Sequence, residues 1–268
     1  MKCAIVLSGL LRGNKETYES LKSHILDKHD CDLFCSTWDN QDEFFNVDET
    51  NRYVVENTSY NLPGNQRYYN LTPDISCLSM YNPEYKEIYS SEDYISSSLE
   101  TYIKNLGIDI TEEMYWIVFN MENILKQWYT IKKGSKQLLE KIFDYDCVFR
   151  VRFDSTIENL PEELDLNSLN IIPSSSNYQN YKNDTFAYGP PKFMKLYLEY
   201  YDYLKDYIFN SAKELLGSDW FSGTGAPAKF KAEYMIGSYL LNNGVEIKEN
   251  NDIKIKHHTW PVNDYNIA

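Results

Sequence analysis

Short apolar runs and stretches of helical periodicity take turns along most of this chain, a pattern that leaves few architectures open. Strands separated by helices do not pair as simple hairpins. They build an α/β layer fold, with helices packed on the faces of a sheet. Cys3–Leu7 and Asp32–Trp38 read as the first two strands, with a helix over about Lys15 to Leu26 between them, where Tyr18, Leu21 and Ile25 share a face. Helices are predicted at about Asp93–Asn105, Glu112–Phe143 (with Gly134 as a break or kink), Pro191–Phe209 and Ala232–Asn243. Further strands are predicted at Cys147–Phe153, Leu169–Pro173, Thr185–Tyr188, Val245–Ile247 and Ile253–Ile255. Between Asp39 and Glu92 the periodicity dissolves into Asn, Asp, Tyr, Ser and Pro, so residues 39–92 are expected to be a loop-rich insertion. With 268 residues, 43% of them hydrophobic, one domain over 1–268 with a sizeable core is expected.

The net charge of −14 argues against nucleic acid or an anionic membrane surface as partner, since both require a positive field. A phosphate-bearing small molecule is compatible, provided a helix end, an arginine or a metal ion supplies positive charge locally. The apolar run Tyr115–Phe119 is far too short to span a bilayer, and Met1–Ser8 is too short for a signal peptide, so no transmembrane segment is expected. The five cysteines include no Cys-x-x-Cys pair and are expected as buried, reduced thiols. Three glycosylation sequons occur, but the one at Asn183 falls among the candidate site residues. A cytoplasmic location is therefore expected.

Four places carry groups capable of chemistry. In Ser8-Gly9-Leu10-Leu11-Arg12-Gly13, a strand runs through a glycine-bearing turn into a helix. That geometry turns backbone amides toward an anion, with Arg12 placed to pair with a phosphate; equally, a tight turn needs glycines for itself. In Arg150-Val151-Arg152-Phe153-Asp154, alternation puts both arginines and the acid on one face of a strand. Either Arg and Asp form a salt bridge, or Asp154 stands at the carboxyl end of a central strand and holds Mg2+ or Mn2+ on a diphosphate. Asp184, in Asn183-Asp184-Thr185, can close a turn or act as general base toward a sugar hydroxyl. Glu233 complements a helix N-terminus or serves as base, and His257 or His258 is either structural or a further metal ligand. Tyrosine is abundant (24 residues) and can stack on sugars, a signal of little weight by itself.

These segments resemble a known family. Leu7–Gly13 is similar to its Gly-x-x-Arg opening, and LKSHILDKHDCDLFCSTW (21–38) to its long helix followed by D-x-F-x-x-T-W. YDCVFRVRFD (145–154) resembles its YD-x-V-x-R-x-R-x-D strand, and NDTFAYG (183–189) its ND-x-F-A-x-G. The family is that of GT-A-like glycosyltransferases found in large DNA viruses, phages and bacterial surface-polysaccharide clusters; residues 39–110 lie outside the likeness. The resemblance implies a Rossmann-type mixed sheet flanked by helices and transfer of a sugar from a nucleotide-sugar donor to a glycan or other hydroxyl acceptor. It places Ser8, Gly9, Arg12, Arg150, Arg152 and Asp154 around the donor, with Asp184 and Glu233 as base candidates. A metal would sit on Asp154 with His258. The family's Asp-x-Asp metal motif has Arg152 in place of its first acid, which puts metal dependence in question. A nucleotide-sugar-modifying enzyme or nucleotidyltransferase, and a non-catalytic carbohydrate-binding protein, remain the alternatives.

Overall fold

The computed structural model describes residues 1–9, 11, 14–38, 75–89, 94, 98–173, 182–212 and 231–257. Its centre is a seven-stranded mixed sheet. β1 (Lys2–Ser8), β2 (Asp30–Trp38), β3 (Tyr85–Tyr89) and β4 (Cys147–Arg152) run parallel, and β7 (Ala187–Gly189) joins β4 antiparallel. β6 (Leu169–Ile171) and β8 (Ile247–Glu249) complete the order β3-β2-β1-β4-β7-β6-β8. A small second sheet pairs β5 (Ser155–Asn159) with β9 (Lys254–His257) antiparallel.

In β1, Cys3–Leu7 is a continuous apolar run because both faces of the strand are covered. Alternation sends Ala4 and Val6 to one core and Cys3, Ile5 and Leu7 to the other. The first core is closed by α2 (Leu99–Asn105), α3 (Glu112–Gly134), α5 (Pro191–Asn210) and α6 (Ala232–Asn242). Met194, Tyr197, Leu198, Tyr201, Leu204 and Ile208 repeat at helical spacing along α5 and are buried, and Pro191 opens the helix where its missing N–H is not needed. Trp128 of α3 is fully buried between Tyr197 and Tyr200, with ring centroids at 5.1 and 4.7 Å. The second core is covered by α1 (Asn14–Leu21) and the π-helical turn Lys22–Leu26 that prolongs it.

The predicted break at Gly134 is where α3 stops, before the short α4 (Lys136–Glu140). A Cβ at Gly134 would come within 2.8 Å of Ser36 Cβ, so a glycine there lets α3 lie close against β2. Residues 39–92 are not loop-rich throughout. Within them Ile75–Tyr81 forms a 3-10 helix and Tyr85–Tyr89 is the parallel edge strand β3; the rest lies outside the described residues. Among the described residues no helix is long and apolar enough to cross a membrane.

Candidate functional site

The chain fills the sheet from β1 toward β2 and β3, then returns to the other side of β1 to lay down β4. In open α/β sheets such a reversal marks the crevice where ligands bind, which here falls at the carboxyl ends of β1 and β4. The register brings Ser8 of β1 opposite Arg152 of β4, and opposite Ser36 of β2 on its other side. Gly9 follows at φ 110°, a conformation suited to glycine, and its N–H donates to the Ser36 carbonyl at 3.2 Å. That amide is therefore committed to the sheet, in keeping with the reading in which the turn needs its glycine for itself. Ser8 Oγ is fully buried and has no hydrogen-bond partner among the described residues.

β4 delivers the charge. Arg152 forms a bidentate fork with Asp154, Nε to Oδ1 at 2.7 Å and Nη2 to Oδ2 at 2.6 Å. The turn that carries Asp154 is fixed from α1, where Thr17 Oγ1 donates to the Phe153 carbonyl at 2.9 Å. Two residues back on the same face, Arg150 is only 1% exposed. Its Nη1 donates to the Thr185 carbonyl, while its Nε finds no partner among the described residues. Burial pushes the Arg150 pKa down, because a guanidinium removed from water loses hydration that a single carbonyl does not replace.

Asp184 is clamped beside this pair from two helices. Gln127 Nε2 of α3 donates to its Oδ2 at 2.9 Å, and Tyr197 OH of α5 donates to its backbone carbonyl at 3.1 Å. The preceding Asn183 closes an Asx turn, its Oδ1 accepting the Thr185 N–H at 2.9 Å. The start of α6 lies next to this loop, since the Glu233 carbonyl accepts the Lys182 N–H at 3.0 Å. At the end of β9, His257 pairs with Ser155 across the small sheet, its Nδ1 2.9 Å from Ser155 Oγ in a part-buried contact, although the residue as a whole is exposed. Shelter from water, then the Arg152 charge, lower the His257 pKa, with Asp154 pulling the other way. The imidazole thus belongs to the same electrostatic group.

No family model matches the chain, and no curated protein matches it.

Of the residues singled out from the sequence, Ser8, Gly9, Arg150, Arg152, Asp154 and Asp184 come together at or beside the crevice. Glu233 is brought to the neighbourhood through its backbone. Arg12 and His258 lie outside the described residues. The salt-bridge alternative for Arg152 and Asp154 is the one observed. This bears on a divalent cation. Both Asp154 oxygens already accept from a guanidinium, one Asp184 oxygen accepts from an amide, and among the described residues no group of three or more His, Cys, Asp or Glu side chains is arranged to hold a metal ion. Mg2+ and Mn2+ require oxygen ligands free to point at the ion; the described carboxylates are engaged by N–H donors, and His258, the other expected ligand, lies outside the described residues. Gln127, Thr185, Tyr197 and His257 complete the arrangement. Of these His257 carried a signal in the sequence, as half of an adjacent histidine pair, and Thr185 lay within the Asn183-Asp184-Thr185 segment.

Proposed function

We propose that this protein is a glycosyltransferase with a GT-A-like fold, moving a sugar from a nucleotide-sugar donor to a hydroxyl acceptor. The observation that carries this is the placement of Ser8, Arg152 and Asp154 at the strand-order reversal between β1 and β4, with the buried Arg150 behind them. A nucleoside diphosphate leaving group develops negative charge as the bond to the sugar's anomeric carbon breaks. Preorganised arginines in a site shielded from water stabilise such charge without reorganising. Arg152 is the group positioned to contact it, and Arg150 reinforces the field. If the reaction inverts the anomeric centre, Asp184 or Glu233 takes the proton of the acceptor hydroxyl. Gln127 and Tyr197 then act as positioning residues, holding the Asp184 loop.

A panel of UDP, GDP, CMP and TDP sugars, with and without manganese, tests this by transfer or donor hydrolysis and by the shift in melting temperature. Turnover of one donor together with a raised melting temperature is expected, since a ligand of the native state stabilises it. Neither turnover nor saturable binding with any donor would dismiss the proposal. Pyrophosphate release from a nucleoside triphosphate would replace it with a nucleotidyltransferase. Glycan binding indifferent to nucleotide sugars would leave a non-catalytic carbohydrate-binding protein.

A further inference from the structure

We infer that the donor diphosphate is met by the two arginines of β4 and not by a cation held on Asp154, and that Asp154 is the resting partner from which an incoming phosphate takes over Arg152. This rests on the glycosyltransferase proposal and says how that site handles charge. The first ground is which member of the ion pair faces solvent. The Asp154 side chain is 4% exposed and that of Arg152 is 29% exposed. The guanidinium is the more accessible member, so a ligand reaching the pair from solvent meets Arg152 before Asp154. A cation arriving by that route is repelled, whereas a phosphate finds planar N–H donors already aligned for two oxygens.

The second ground is the unmet donors. Among the described residues Arg150 makes no ion pair, and the hydrogen bond it makes there goes to a neutral carbonyl. A buried guanidinium held in this way is costly to the fold, and it is a standing positive charge two residues from Arg152 on the same face of β4. Ser8 Oγ, in register with Arg152 across the β1–β4 ladder, is a buried hydroxyl without a partner among the described residues. An anion that draws Arg152 from Asp154 adds negative charge beside two guanidinium groups, of which Arg150 has no carboxylate within ion-pair distance among the described residues although Asp154 and Asp184 lie near both. No bond is made or broken in this step. Hydrogen bonds pass from carboxylate oxygens to phosphate oxygens.

Titration calorimetry on the full chain decides the matter, using UDP, GDP and inorganic pyrophosphate as probes, in EDTA and then in manganese. The expected result is that one nucleoside diphosphate binds in EDTA with an affinity within a few-fold of that in manganese. Arg152→Gln is expected to weaken it about tenfold or more in both buffers, the scale of a lost bidentate contact. Asp154→Asn, which loosens the resting fork, is expected to keep or tighten binding. Arg152→Lys retains the charge but not the fork; it provides a second reading if Arg152→Gln does not melt cooperatively, and is expected to bind with intermediate affinity. Binding that appears only with manganese and vanishes in Asp154→Asn would overturn the inference while leaving the glycosyltransferase proposal standing. No binding of either nucleotide in either buffer, by a protein that melts cooperatively, would overturn both. Pyrophosphate binding as tightly as the nucleotides would support the arginine site and count against a nucleotide donor.

Discussion

The same three strands carry two transverse rows of side chains, and the rows are opposites. Near the amino ends of β2, β1 and β4, the register aligns Cys31, Cys3 and Cys147; at the carboxyl ends it aligns Ser36, Ser8 and Arg152. The cysteine row points into the core beneath α1, where Cys3 and Cys147 are fully buried as free thiols. The hydrogen bond to Cys3 and burial push the Cys147 thiol up, so it stays protonated and behaves as a small hydrophobe. The serine–arginine row points to the opposite face. There Ser36 Oγ donates to the Thr130 carbonyl at 2.7 Å, but Ser8 Oγ is unmatched among the described residues. One end of the sheet is closed by chemistry that makes no demands. The other retains donors and charge whose cost the fold bears without an evident structural return, the pattern expected of a site.

If that contrast is functional, the two rows answer differently to substitution. The largest effect is expected from Arg152→Gln, with a fall of about 100-fold in kcat/KM for sugar transfer, roughly 2.7 kcal/mol of transition-state stabilisation, and a lowered but still cooperative melting transition, since the buried Asp154 carboxylate loses its partner. Retained activity would remove Arg152 from the site. Next comes Gly134→Ala. The added Cβ crowds Ser36 and strains its bond to Thr130, so denaturant unfolding is expected to show a loss of about 1–3 kcal/mol, the usual cost of overpacking. Cys147→Ala, in the thiol row, is expected to cost only about 1 kcal/mol and to leave kcat/KM unchanged. A large loss of activity there would erase the distinction between the rows.

The smallest effect concerns pH. Glu122 of α3 is buried and accepts from Tyr94 OH at 2.7 Å and from the Glu100 N–H of α2 at 3.0 Å. Burial raises its pKa, and those hydrogen bonds only partly offset the rise. A carboxyl whose pKa is higher folded than unfolded contributes stability that is present below the unfolded pKa and lost as pH rises through the folded one. Relative to Glu122→Gln, the parent protein should therefore lose stability as pH rises above the ordinary glutamate pKa of about 4.3, as measured by denaturant titration at increasing pH. A flat difference would show that Glu122 is not desolvated.

Much of this contrast was legible in the sequence. The alternation in Cys147–Phe153 placed Arg150 and Arg152 on one face of a strand, and the same periodicity located β1, β2, α5 and α6 within a few residues. What escaped was set by tertiary partners. β3 is an edge strand in which Tyr85 to Ile88 alternate between half-buried and exposed before the buried Tyr89, and mixed polarity with so little burial looks like loop. β5 reads Ser-Thr-Ile-Glu-Asn; it is a strand because Lys254–His257, far away in the chain, pairs with it. Gln127 is one polar residue on a long helix, and nothing local says that it holds Asp184. The choice between metal ligand and ion pair for Asp154 could not be made from composition either. It depends on Arg152 reaching two residues onward, past the end of β4, a matter of rotamer and burial.

The central claim is that the crevice above β1 and β4 holds the ligand, and a crystal structure of the chain with a nucleoside diphosphate tests it most directly. The account predicts phosphate oxygens within hydrogen-bonding distance of the Arg152 guanidinium, with the fork to Asp154 opened. Phosphates found instead in the groove lined by Tyr85, Lys136, Gln137, Glu140 and Lys141, with Arg152 still locked on Asp154, would contradict it.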